Sequence, residues 1–267
     1  MKRVNNEAYK IAQHINKWIT EYTSSIKSNS PHTIRTYIMT LSLFVKFLET
    51  EKGIDSSNLS FSCLSRTYVE EWILWLKGKR GCSPETCNIR LAALRAFLKY
   101  LAEKEIACLS IYQGTTFIPR QKVFKKKVIG MSKNAIKSLM LVPDVSTRTG
   151  RRDLVLMIVL YCTAARIDEI LSLKINQLHV DVDKPHITVI GKGRKIRTLY
   201  LLPKAVSHLK KYLKEYHPVE PNSNAYVFYS RNKGIFEKIS SEGVNKQFKG
   251  VKTTCTKGQK GKTHLTV

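Results

Sequence analysis

The chain is poor in acid. Across 267 residues, 20 Asp and Glu stand against 46 Lys and Arg, a formal net charge of +26. No core needs such an imbalance, and self-repulsion opposes compaction, so a polyanionic partner is implied. The chain also lacks a long apolar run. The longest, Leu154 to Cys162, is nine residues, far short of the roughly 20 that cross a bilayer. Met1 to Asn16 lacks the apolar segment of a signal peptide. The six cysteines lack metal-site spacing: only Cys82 and Cys87 are close, as C-x4-C, and no second pair answers them. Cys162 reads as a small core residue, and a reduced cytoplasmic compartment fits. Nucleic-acid-acting and membrane-surface classes stay open.

What is present is mostly helix. Residues 7–105 read as helical throughout. Ile11, Ile15, Trp18, Ile19 and Tyr22 share one helix face. Ser30-Pro31 and Ser83-Pro84 each supply an N-cap and a proline at the first helical position. The stripes behind them run from Ile34 to Leu48 and from Leu91 to Leu101, and a further helix is expected from Ser65. Four helices with short connections predict a bundle. Its aromatics read as core, whereas Arg35, Lys46, Arg90 and Arg95 lie off the stripes. Each is a candidate for a phosphate contact or a plain solvated charge. Residues 106–130 change character: Gln113-Gly-Thr-Thr is polar, Pro119 breaks structure, and Arg120 to Lys127 holds five basic residues and no acid. A basic linker is expected there. Helices resume near Ser132 and Arg151. His186–Ile190 and Ile196–Leu201 read as a hairpin, and Pro203 opens another helix. No exposed aromatic pattern on a sheet, of the kind single-stranded RNA requires, is read.

Two segments carry chemistry. In Tyr161-Cys-Thr-Ala-Ala-Arg-Ile-Asp-Glu-Ile-Leu-Ser-Leu173, Arg166 follows the apolar run and Glu169 stands one turn on. A guanidinium beside a buried element calls for a fixed anion, and its fork holds two phosphate oxygens at once. The alternative is a structural ion pair worth little by itself. In Gly191-Lys-Gly-Arg-Lys-Ile-Arg-Thr-Leu199, Lys192 sits at a glycine-flanked tip with Arg194, Lys195 and Arg197 around it. Taken alone, that is a plain basic hairpin.

Together, in this order, YCTAARIDEILSL and VIGKGRKIRTLYL resemble the first catalytic box and the lysine hairpin of the tyrosine recombinase (phage integrase) family. SPHTIRTYIMTLSLFVKFLE looks like the family's core-binding domain. The resemblance covers residues 7–250. It implies a mainly α fold with a small β component. An N-terminal helical core-binding (SAM-like) domain at 1–106 and a basic linker at 107–130 precede an α+β catalytic domain at 131–267. It also implies a reaction in which a tyrosine attacks a DNA phosphodiester, forming a 3′-phosphotyrosyl link and freeing a 5′-hydroxyl, with no metal or nucleotide cofactor. On that match Arg166 holds the scissile phosphate, Lys192 is general acid, and Glu169 orients the arginine. Arg194, Lys195, Arg197, Arg35, Arg90 and Arg95 meet DNA. The partners implied are double-stranded DNA, clamped between the domains, and other recombinase protomers, with no membrane and no small-molecule substrate. Ala164 stands where the family usually has glycine, and Asp168 where a small polar residue is common.

The family continues with a His-x-x-Arg box, a further His or Trp and the nucleophilic tyrosine. His264 falls at the distance of the box's histidine, Val267 stands at its arginine position, and Tyr226 and Tyr229 precede it out of order. The expectation is therefore a truncated catalytic domain that binds DNA without cleaving it. The alternatives are a non-catalytic regulator or competitor of a full-length recombinase, and a degenerate product without a stable fold.

Overall fold

The computed structural model describes residues 5–27, 30–124, 130–191, 193, 195–230, 232, 234–241 and 244. They fall in two compact units, Met1–Lys126 and Lys127–Val267.

The first unit is helical. α1 (Asn6–Lys17) is capped by Asn5, whose side chain accepts from the Glu7 amide. It passes directly into a π-helix, Trp18–Lys27, where the reading from the apolar stripe had one continuous α-helix. Trp18 and Thr23 are both fully buried, and their spacing of five is the register of a π-helix. α2 (Pro31–Lys52) ends where Gly53 turns left-handed at φ 65°, its N–H closing on the Leu48 carbonyl. α3 (Arg66–Gly78) and α4 (Pro84–Ala102) complete the bundle. At the head of α4 the Ser83 hydroxyl accepts from the Thr86 amide at 3.3 Å. The stripe aromatics do form the core. Phe44 meets Trp72 edge-on at 5.3 Å, and Trp18 packs on Phe97 at 5.3 Å. Each such ring contributes roughly 1.5–3 kcal/mol by burial.

Helical structure continues past residue 106, into the segment expected to be linker. α5 (Leu109–Thr116) contains the polar Gln113-Gly-Thr-Thr stretch. Arg95 explains it: its guanidinium donates to the carbonyls of Thr115 and Ile118 as well as Thr116, so the helix end finds its acceptors' partners on α4.

The second unit is mixed. α6 (Lys133–Met140) starts at a Ser132 cap and α7 (Arg148–Thr163) at a Thr147 cap. A Cβ on Gly150, in the first turn of α7, would lie 1.9 Å from the Asp144 carbonyl oxygen, so the close approach of the preceding turn admits only glycine at 150. α8 (Ile167–Leu171) is a single short helix. β1 (Leu178–His179), β2 (His186–Ile190) and β3 (Ile196–Tyr200) form an antiparallel sheet in that order. α9 (Pro203–Tyr216) packs on α7, and β4 (Tyr229–Ser230) pairs with β5 (Gly234–Lys238). Ile187 and Val189 of β2 are buried with Leu156, Val159, Ile170, Leu209 and Phe228. Tyr212 donates to the Val227 carbonyl at 2.9 Å, and its burial pushes the phenol well above its ordinary range. Cys162 is half-buried against this core, and its Sγ accepts from the Leu202 amide.

The outer face of the sheet carries a row of rings. His179, His186 and Tyr200 stand in a row across the three strands, with Tyr200 exposed. Residue type alone did not mark them, because two of the three rings are imidazoles.

Candidate active site and nucleic-acid interface

α7 ends at Ala164, which adopts the left-handed conformation (φ 50°) that glycine takes without strain. The chain then turns and Arg166 becomes the N-cap of α8, in extended conformation. Glu169, three residues on, reaches back: its Oε2 accepts the Arg166 backbone N–H at 2.9 Å, the second half of a capping box. The same carboxylate accepts Nη1 of Arg166 on Oε1 at 3.0 Å and Nη2 of Arg197 on Oε2 at 2.7 Å. The site is therefore three residues from two elements around one carboxylate.

Exposure corrects the first reading. The Arg166 side chain is 68% exposed and that of Glu169 only 5%. The buried charge that needs fixed partners is the glutamate, and the arginine is its partner with its remaining donors turned outward. Burial alone would raise the Glu169 carboxyl. The hydrogen bonds from Arg166 and the charges of Arg197 and Arg166 outweigh it, so the group sits below the usual glutamate range.

Arg197, a residue expected on DNA phosphate, places Nη2 of its guanidinium on Glu169. The register explains this. Arg197 pairs with Val189 and Leu199 with Ile187, and Val189 and Ile187 are buried. Strand alternation puts Arg197 on the same inner face. That signal was present in the sequence and outweighed by the run of basic residues. On the adjoining turn, the Gly191 N–H donates to the Lys195 carbonyl at 2.8 Å. A Cβ on Gly191 would lie 3.1 Å from Glu169 Oε1, so this glycine leaves room for the carboxylate. Gly193 follows in left-handed conformation (φ 74°) and Lys195 is exposed. Lys192, Arg194 and His264 lie outside the described residues.

In the first unit Arg35 is exposed on α2. Arg90 and Arg95 hold internal positions instead of presenting free guanidiniums. Arg90 donates to the Thr36 carbonyl and the Thr40 hydroxyl, joining α4 to α2. Arg95 closes the end of α5 as described, and burial, with repulsion from Arg120, lowers its pKa. A helix stripe tells which residues face away from one core line. It does not tell which of those meet a neighbouring helix.

Among the described residues no group of three or more His, Cys, Asp or Glu is placed to hold a metal ion, and no helix is long and apolar enough to cross a membrane.

Comparison with known proteins places this arrangement. The sequence model of the Phage integrase family matches residues 130–265, and that of the phage integrase N-terminal SAM-like domain matches residues 15–105. The chain belongs to the phage integrase family of tyrosine recombinases. Within the family it is 30% identical over 226 residues to the tyrosine recombinase XerD of Listeria monocytogenes, covering 83% of this chain and 71% of that one. It is 26% identical over 242 residues to XerC of Chlamydia caviae, covering 85% and 75%. A putative integrase/recombinase of Sinorhizobium fredii is 31% identical over 186 residues, and there the match spans 70% of this chain and 56% of the relative. The integrase fold is also that of the Tn1549 transposon integrase solved with circular intermediate DNA, at a TM-score of 0.65 and 13% identity, covering 96% of this chain and 82% of that one.

Proposed function

We propose that the chain is a site-specific DNA recombinase or integrase that binds duplex DNA and holds the scissile phosphate with Arg166. The observation that carries this reading is the exposed Arg166 guanidinium anchored on the buried Glu169 carboxylate. A guanidinium fork with outward donors, on a residue fixed through its backbone N–H to Glu169, matches the bidentate geometry of a phosphate and the charge that develops on it in the transition state. The charge of +26 supports a polyanionic partner, and relatives such as the Tn1549 integrase were solved with DNA. In this reading Lys192 protonates the departing 5′-oxygen, His264 is the histidine of the second box, and Glu169 orients Arg166. Arg35, Arg194 and Lys195 meet backbone phosphates. The duplex is met in the cytoplasm, and the reaction serves a mobile element.

The attack itself needs a tyrosine after the second box, and in residues 1–267 no tyrosine follows His264. A polypeptide of these residues alone therefore binds DNA and forms no 3′-phosphotyrosyl link. A nicked duplex that traps covalent intermediates tests this. The expected result is a salt-sensitive non-covalent complex and no adduct on a denaturing gel. An adduct overturns the cleavage-deficient reading, and an affinity that is flat between about 50 and 200 mM salt overturns the DNA-binding one.

A further inference from the structure

An arginine paired with a buried carboxylate is poorly placed to take a second anion. If Arg166 turned to a phosphate with nothing else on Glu169, a buried charge would be left uncompensated. The site removes this obstacle. Oε2 of Glu169 carries the Arg166 backbone N–H and Nη2 of Arg197, while the Arg166 side chain uses Oε1. Both contacts on Oε2 survive rotation of the Arg166 side chain. Arg197 reaches the carboxylate from β3, a different element, on the inner face set by its pairing with Val189. Two guanidiniums against one carboxylate leave one positive charge in excess, and it resides on the more exposed of the two, Arg166, at 68% against 44% for Arg197. Gly191, where a Cβ would crowd Oε1, keeps the oxygen that Arg166 uses open to its return.

We propose that Arg197 is a positioning residue: by holding Glu169 it releases the Arg166 side chain from the carboxylate to a DNA phosphate. The inference rests on the reading of Arg166 as a phosphate ligand. Arg197 itself touches no DNA. Without it, Arg166 is the one cation among the described residues left on Glu169, and the phosphate contact is lost although Arg166 is intact.

The test is the salt dependence of duplex-DNA affinity of the full 267-residue protein, read by fluorescence anisotropy between about 50 and 200 mM salt, where each phosphate contact contributes about 0.9 to the log–log slope. R166A lowers the slope by about one contact. R197Q lowers it by the same amount, and R166A adds no further loss to R197Q. The double variant E169Q/R197Q regains the wild-type slope, because nothing then retains Arg166. This recovery separates positioning from a direct DNA contact by Arg197, which E169Q cannot restore. R197Q with an unchanged slope, or a loss that E169Q leaves in place, overturns the inference while leaving the functional reading standing. A wild-type protein with no salt-dependent affinity overturns both. Should R197Q fail to fold, as a thermal melt reports, the wild-type protein carries the test. On adding DNA, the Arg166 Nε–H resonance, identified by its absence in R166K, moves more than that of Arg197. A larger movement at Arg197 overturns the inference.

Discussion

Nη2 of Arg197 lies 2.7 Å from Oε2 of Glu169, joining the third strand of the sheet to the short helix that Arg166 caps. A carboxylate this buried, with three donors, contributes to folding as well as to the site.

Glu169→Gln is therefore expected to destabilise the second unit by about 1.5–3 kcal/mol at neutral pH, the range for hydrogen bonds to a charged group. The folded-state pKa of Glu169 is lowered. The wild-type advantage is thus fully present above the unfolded value of about 4.3 and fades as pH falls through the lower folded value. Urea unfolding of the two proteins between about pH 7 and pH 3 checks this. A difference that grows on acidification contradicts the pairing.

Ala164→Gly is expected to stabilise the protein. Ala164 is the single described non-glycine residue with positive φ, and a Cβ in that conformation costs about 1–2 kcal/mol. Glycine loses part of that gain to unfolded-chain entropy, so a rise of about 1 kcal/mol is the expected outcome of a thermal or denaturant melt. Ala164→Val moves stability the other way.

Arg95 and Lys195 separate structural from ligand-facing cations. Arg95→Ala leaves the carbonyls of Thr115 and Ile118 without their donor and is expected to lower stability by about 1–3 kcal/mol while keeping the slope of DNA affinity against salt. Lys195→Ala, at an exposed position, is expected to leave the melt unchanged and lower that slope by about 0.9. Reversed outcomes would exchange the two roles.

Thr23→Val is expected to stabilise the first unit by about 1 kcal/mol. The Thr23 hydroxyl is fully buried and finds no hydrogen-bond partner among the described residues, so the substitution removes a desolvated polar atom and keeps the shape. Equal or lower stability in a urea titration would place an unseen partner on that hydroxyl.

Helices were legible wherever a stripe and a cap agreed, as at Ser83 and Ser132. The hairpin was legible because two alternating runs flank its glycines. α5 was not, since Gln113-Gly-Thr-Thr has no helical preference of its own and is held by a guanidinium from α4. The Arg166–Glu169 pair could be read from spacing. Which partner is buried could not, because that depends on where α8 meets the sheet. The share of Arg197 in it was written in strand parity, which needs the register His186↔Tyr200 to Ile190↔Ile196 before it can be applied.

The π-helix at Trp18–Lys27 has one more consequence. A helix that changes pitch part-way acts as a rotary joint. Each wider turn swings the following side chains around the axis, which is how Thr23 comes inward five residues after Trp18. Deleting one residue within this segment would tighten the coil and re-aim its distal half without breaking it. Which side chains after Trp18 face the core that α1 joins through Ala8 and Ile11 is thus set by a residue count as well as by residue type.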